Sequence, residues 1–266
     1  MIKICVVGAT GKMGRTVISE AVKRNFEIVG AVASPNNPGL GKTLRELGIC
    51  DLDIQLHGPS KLREALEKAD VYLSFTTPEA EAANIPKAAD MGKRIIMGTT
   101  GFAEDQLNKL KVLVSSRVPA VFASNFSLAV NLMFKMLRLL AYLPSEYEIS
   151  IVEAHHSQKR DAPSGTALTM AKIVSAAKGY SKLVHGREKS ALRTREELEV
   201  LSVRAGGIPG IHEVIVAGPY DMVSIKHSAF SRNAFALGAL RAVEWVVKQN
   251  QPGVYSMEDV LGNFES

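Results

Sequence analysis

The segment IKICVVGATGKMGRTVISEAVKR, beginning at Ile2, constrains the fold more than any other. Ile2 to Val7 is an unbroken β-favouring run. Gly8, Gly11 and Gly14 follow at G-x-x-G-x-x-G spacing, and Val17, Ile18, Ala21 and Val22 then recur with helical periodicity. Strand, glycine turn and helix in that order, with FEIVGAVAS supplying a strand after the helix, make a βαβ unit. Glycines let the backbone turn tightly, and the helix that follows presents unpaired amides to an anion. A pyrophosphate is the ligand this geometry suits.

The alternation continues. DVYLSF (Asp70 to Phe75), a helix after Pro78, RIIMGTT (Arg94 to Thr100), a helix over Glu104 to Ser115, and AVFAS (Ala120 to Ser124) predict a doubly wound parallel sheet of Rossmann type. Ligands of such sheets sit at the C-terminal strand ends. Those ends are Gly8 to Gly14, Ser34, Thr76 with Thr77, Gly98 to Phe102, and Ser124 with Asn125 and Phe126. An acid about 20 residues past the glycine turn binds the adenosine ribose hydroxyls of NAD. Here that place holds Ser34, so the site accepts a 2′-phosphate, with Ser34 and Lys12 as its contacts. The expected cofactor is NADPH, with NADH also open because no arginine marks the spot.

Several classes are excluded. No apolar run approaches the roughly 18 residues of a membrane span, and Gly8 and Lys12 interrupt the N-terminal run, so we expect a cytoplasmic chain without a signal peptide. Cys5 and Cys50 show neither metal-ligand nor disulfide spacing. The net charge of +5 comes from scattered lysines and arginines, which suits phosphate or carboxylate ligands better than nucleic acid.

After an apolar helix from about Leu128 to Leu143 the texture changes. EISIVEAHH, VLSVRAGG, HEVIVAGP and MVSIKHSAF alternate or run apolar between glycine-rich joints, with one helix over Thr166 to Lys178. This predicts a mixed or mainly antiparallel sheet in a second, α+β domain over 127–232. The first domain, 1–126, is completed by a returning helix at Ala234 to Gln249 and the tail, 233–266. An open apolar face on the second sheet would be a natural oligomer surface.

The joint EAHHSQKRDAPSGTAL, Glu153 to Leu168, concentrates the chemistry. His155 or His156 can supply a proton near neutral pH, and Lys159 is a point charge for a carboxylate or a reacting nitrogen. Ser164, Gly165 and Thr166 follow Pro163 and open a helix, so their amides read as an anion site for a dicarboxylate. No third ligand at metal spacing accompanies the histidines, so no metal is expected. Reduction of a C=N bond needs a hydride donor, a proton donor and groups to hold acidic substituents, and the chain offers the last two beside a dinucleotide fold. A protein that senses NAD(P) without turnover would need a partner-reading element, and no helix-turn-helix or basic arm is present.

GATGKMG, GTTGF, SNFSLAVN, EAHHSQKRDAPSGTAL and FSRNAFALGALRA, in this order along nearly the whole chain, resemble the 4-hydroxy-tetrahydrodipicolinate (dihydrodipicolinate) reductase family of diaminopimelate and lysine biosynthesis. The resemblance implies His155 as proton donor and Lys159 as the lysine that binds or polarises substrate. It implies that His156, Gly165 and Thr166 contact the dicarboxylate. Gly8, Ala9, Thr10, Gly11, Lys12 and Met13, then Gly98, Thr99 and Thr100, then Ala123, Ser124, Asn125 and Phe126 match the cofactor-binding segments, with GTTGF near the nicotinamide. Arg232 falls in the family's SR motif, with a structural or interdomain role implied. The family assembles as a homotetramer through its second sheet. The chain departs from many members at Ser34 and Pro35, where they carry an acid and a basic residue, and at Ser74 and Thr77, where some carry an aspartate and an arginine. A different two-domain nicotinamide-dependent dehydrogenase is the enzymatic alternative.

Overall fold

A computed structural model describes residues 1–187 and 190–262. In chain order the strands are β1 Lys3–Val7, β2 Glu27–Val32, β3 Leu56–His57, β4 Val71–Ser74, β5 Arg94–Met97, β6 Pro119–Phe122, β7 Glu148–His155, β8 Lys182–Val184, β9 Glu197–Arg204, β10 Ile211–Ala217, β11 Met222–Ser228 and β12 Gly253–Tyr255. The helices are α1 Lys12–Lys23, α2 Leu62–Leu66, α3 Pro78–Asp90, α4 Glu104–Ser115, α5 Leu128–Arg138, α6 Gly165–Lys178, α7 Asn233–Val246 and α8 Met257–Leu261. They form two compact units, Met1–Leu128 with Arg232–Ser266, and Ala129–Ser231.

The first unit is a seven-stranded sheet in the order β12-β6-β5-β4-β1-β2-β3, with every pairing parallel. Its strands are short and apolar because both faces are covered. Successive residues of β1 go to opposite cores. Ile4 and Val6 pack with Val17 and Ile18 of α1 and Ala239 and Val243 of α7, whereas Cys5 and Val7 pack with Leu62 and Leu66 of α2, Ile85 of α3 and Leu110 of α4. Order reverses between β1 and β4, which makes their C-terminal ends the topological switch point. The tail does more than cover the sheet. Ser256 and Asp259 form a capping box on α8, and Gly253–Tyr255 adds an edge strand beside β6. Three residues are too few for a period-two pattern to stand out in the sequence.

The second unit is a five-stranded mixed sheet, β11-β10-β7-β9-β8. β10 pairs antiparallel with both β7 and β11, while β7 with β9 and β8 with β9 run parallel. One face packs Ile149, Ile151, Leu198, Val200, Val214 and Val216 against α5 and α6. The apolar helix expected to reach Leu143 is α-helical only to Arg138 and tightens into a 3₁₀ turn over Leu139–Tyr142, because Pro144 disfavours α geometry just before it. Among the described residues no helix is long and apolar enough to cross a membrane.

Candidate active site

The inward face of β7 reads Ile149, Ile151, Glu153, His155, so an apolar core stripe turns acidic and then basic at its C-terminal end. Two residues apart on a strand, Glu153 and His155 necessarily share that face. Glu153 has no exposed surface. Its carboxylate accepts Nδ1–H of His155 at 2.5 Å, the Ser164 amide at 3.1 Å, and the Arg204 guanidinium in a fork of 2.9 and 2.7 Å. Both carboxylate oxygens of Glu153 are thus paired, as a buried charge requires, whereas Nε of Arg204 is buried without a partner among the described residues.

Register explains the convergence. Arg204 ends β9 opposite His155, and His212 of β10 lies opposite Glu153 on one side and His227 of β11 on the other. The His155 and His212 rings meet edge to face at 5.1 Å, and His212 and His227 lie 6.4 Å apart, tilted. Nε2 of His212 bonds Oγ of Ser164 at 3.2 Å.

The electrostatics follow from these contacts. Burial pushes the Glu153 carboxyl up, but the hydrogen bonds from Arg204, His155 and Ser202 outweigh it and hold it at about 2. Burial lowers His155, Glu153 pulls it back up, and Lys159 and Arg204 lower it again; the net is below the ordinary value. Because Nδ1–H donates to the Glu153 carboxylate, Nε2 carries the ring's exchangeable position. A Cβ on Gly210 would stand only 3.3 Å from that atom, so glycine there keeps its approach clear. Burial, then the charge of His155, drives His212 down to about 3.

Lys159 Nζ holds the Asp161 carboxylate at 2.8 Å on an otherwise exposed loop, and the Asp161 carbonyl accepts from Arg204 at 2.6 Å. His156 is half-buried, with Nδ1 unpartnered among the described residues. The helix start differs from the sequence expectation. Ser164 is the N-cap of α6 and 2% exposed; its amide is bonded to Glu153 and its hydroxyl to Ala167 N and His212, so it shapes the site and does not present an outward amide. Thr166 is also buried, which leaves Gly165 as the exposed first residue of the helix, with open space where a side chain would stand.

In the first unit the glycine turn fits a pyrophosphate. Gly8 has φ +84°, and a Cβ on it would fall 2.3 Å from the Phe75 carbonyl oxygen; one on Gly14 would fall 2.1 Å from the Gly8 oxygen. No side chain caps α1, so its first-turn amides, at Lys12 and Met13, face outward. Other members of the motif are spoken for: the amides of Gly8 and Ala9 bond the Val32 carbonyl and that of Gly11 the Gly8 carbonyl, and Ala9 is buried. Thr10 is held by Asn37 Nδ2 at 2.9 Å and Arg15 Nε at 3.1 Å. Ser34 and Lys12 are exposed.

Of the later strand ends, Gly98 and Ala123 bond the carbonyls of Ser74 and Met97, Ser124 and Thr100 are exposed, and Asn125 Oδ1 accepts from Ser127 N. Phe126 is buried against Phe75, their rings 5.8 Å apart. Thr99 is buried with its hydroxyl engaged by Glu81. Thr77 caps α3, Ser74 is fully buried, and the Arg232 carbonyl accepts the amides of Phe235 and Ala236 in α7.

A glycine turn and first-turn amides at the switch point of one unit, with a buried Arg–Glu–His chain in the other, define a two-domain oxidoreductase built on a dinucleotide-binding sheet. Residues 2–126 match the family model for the N-terminus of dihydrodipicolinate reductase and residues 129–261 that for its C-terminus. The chain belongs to the dihydrodipicolinate reductase family. It is 41% identical over 267 residues to 4-hydroxy-tetrahydrodipicolinate reductase of Methanopyrus kandleri, covering 98% of this chain and 97% of that one. It is also 41% identical over 266 residues to the Methanosarcina barkeri enzyme, covering 98% and 100%. A solved dipicolinate-bound dihydrodipicolinate reductase from Paenisporosarcina sp. TG-14 superposes with a TM-score of 0.73 at 25% identity, over 96% of this chain and 97% of that one.

Sequence reasoning missed Glu153, Arg204 and His212. Only Glu153 left a signal, an acid two residues before a histidine on one strand face; the other partners lie 51 and 59 positions away and depend on register.

Proposed function

We propose that the chain reduces 4-hydroxy-tetrahydrodipicolinate to tetrahydrodipicolinate with loss of water, using NADPH in preference to NADH. Bound nicotinamide supplies the hydride. The observation that carries the reading is the buried Arg204–Glu153–His155 chain: it fixes the imidazole orientation and leaves Nε2 to hand over the balancing proton. An anionic dicarboxylate beside His155 favours the imidazolium, so substrate binding loads the donor whose resting pKa burial has lowered. Lys159 exchanges Asp161 for a substrate carboxylate, with the exposed Gly165 amide and His156 completing that contact. Dipicolinate bound to the Paenisporosarcina relative supports a dicarboxylate ligand.

The unit Met1–Leu128 with Arg232–Ser266 is the nucleotide-binding part and Ala129–Ser231 the substrate-binding part. The turn shaped by Gly8, Gly11 and Gly14 brings the pyrophosphate to the amides of Lys12 and Met13, and exposed Ser34 with Lys12 takes the 2′-phosphate, no carboxylate standing there to repel it. Val203, Met222 and Val223, each around half exposed or more on the mixed sheet, support assembly through that sheet as a homotetramer.

The test is oxidation of NADPH and NADH with substrate generated in place by the preceding synthase. Oxidation that requires the synthase and is faster with NADPH is expected. Binding of either nucleotide without oxidation would overturn the reductase reading, and equal or faster oxidation of NADH would overturn the preference.

A further inference from the structure

The parallel-sheet unit contains a second fully buried carboxylate, Glu81 on α3, to which the reading above gives no task. Its partners are all hydroxyls. Oε1 accepts from Thr76 Oγ1 at 2.5 Å and from Thr99 Oγ1 at 2.7 Å, and Oε2 accepts from Tyr72 at 2.7 Å. Thr99 Oγ1 in turn accepts the Thr76 amide at 2.9 Å. One carboxylate oxygen therefore ties together the loops that follow β4 and β5, and the phenol on the other oxygen fixes the carboxylate's orientation. Burial and the adjacent Glu81 both raise Tyr72 well above its ordinary range, so the phenol remains a donor.

The tied loops have little freedom of their own. A Cβ on Gly98 would fall 2.2 Å from the Phe75 ring, and that ring packs edge to face on Phe126 after β6. The three strand ends thus form one packed shelf. It lies on the opposite side of β1 from β2, in the order β6-β5-β4-β1-β2. In such a sheet a dinucleotide spans the switch point, with its adenosine toward β2 and its other half over β4, β5 and β6. Because the Thr99 hydroxyl is already used in both directions, what Thr99 offers a ligand is its backbone, and backbone position is what Glu81 sets.

We propose that Glu81 is a positioning residue for the nicotinamide half of the cofactor, tying the Thr76 and Thr99 loops into the conformation that binds it. The inference rests on the assignment of this unit to nucleotide binding.

Glu81→Gln leaves at best a neutral amide oxygen where a charged one accepts from Thr76 and Thr99 and so weakens both loop tethers, whereas Tyr72→Phe removes a buried hydrogen bond and leaves both loop tethers in place. Binding of NADPH and of adenosine 2′,5′-bisphosphate, which lacks the nicotinamide, is measured by calorimetry alongside thermal unfolding. Glu81→Gln is expected to weaken NADPH about tenfold, the equivalent of one lost buried hydrogen bond, and the bisphosphate less than about twofold. Tyr72→Phe is expected to lower the melting temperature with the ratio of the two affinities unchanged. Should Glu81→Gln fail to fold, Thr76→Val cuts the same tie and carries the same expectation. Equal weakening of both ligands, or a lowered melting temperature with neither affinity changed, would make Glu81 merely structural and overturn the inference. If the wild-type chain binds neither ligand, the nucleotide assignment itself falls and takes this inference with it.

Discussion

Glu81 and Glu153 are both carboxylates without exposed surface, one in each unit, and they are solvated by opposite means. Glu81 receives three neutral hydroxyls; Glu153 receives a guanidinium fork, a backbone amide and an imidazole. Neutral donors compensate a buried charge without creating another titrating group, so the first cluster is suited to holding backbone in place. The second couples its carboxylate to an imidazole, a ring that can carry or release a proton, so it is suited to moving one. The difference lies in what surrounds a residue type that the sequence writes identically.

The comparison breaks most visibly at His155. His155→Ala should lower kcat by about a hundredfold or more while NADPH affinity stays within about twofold, because the ring acts on the proton and not on the nucleotide. Steady-state kinetics with calorimetric cofactor binding check this, and near-normal turnover would remove the proton-donor assignment. Next in size, Arg204→Leu leaves Glu153 buried without its cation and should cost about 3 kcal/mol in urea unfolding. A loss below about 1 kcal/mol would show that the fork is not what stabilises that carboxylate.

His212 sharpens the contrast through pH. Unfolded, it titrates near the ordinary value of 6.5, but burial, with His155, His227 and Lys159 opposing its charge and Glu153 favouring it, lowers it in the fold to about 3. Between those values the unfolded chain binds the additional proton. The stability this residue contributes is therefore complete above about 6.5 and is lost as pH falls toward 3. His155 and His227 are displaced in the same direction, so His212→Gln should reduce the acid loss of stability between pH 7 and 5 without abolishing it. Identical losses in wild type and variant would contradict a neutral, buried His212. The smallest effect is expected at Asp161, which occupies Lys159 at 2.8 Å on an exposed loop. Asp161→Asn should lower the substrate KM by no more than about threefold, and an increase would mean that Asp161 positions the lysine for substrate instead of competing for it.

Much of the architecture was legible because it follows from local rules. Gly8 to Gly14 between a strand and an amphipathic helix, and the strand–helix alternation to Ser124, specify a parallel sheet, and Pro163 with Ser164 marks the start of α6. Of the candidate site, adjacency in sequence shows only that His155 and Lys159 fall in one joint at the end of β7, and their roles are those proposed above. Ser164 was misread as an outward donor because a helix start shows which amides lack helical partners, not which tertiary group takes them. Arg204 and His212 reach Glu153 through the register of β9 and β10, which no spacing within β7 announces. Glu81 lies in the acidic first turn of α3, where a second glutamate, Glu79, satisfies the usual expectation of a solvated helix N-terminus; only the placement of Tyr72 on β4 and of Thr99 in the loop after β5 turns Glu81 inward.

The most direct test of the division between these clusters is to neutralise each carboxylate in turn and measure two quantities for both variants, the NADPH dissociation constant and kcat at saturating NADPH. Glu153→Gln should lower kcat about a hundredfold with NADPH affinity unchanged, since it removes the negative charge that favours protonated His155. Glu81→Gln should weaken NADPH about tenfold and leave kcat at saturation within about threefold. If Glu153→Gln weakens NADPH as much as Glu81→Gln does, or if both lower kcat alike, the two carboxylates do not divide the work of proton delivery and cofactor placement.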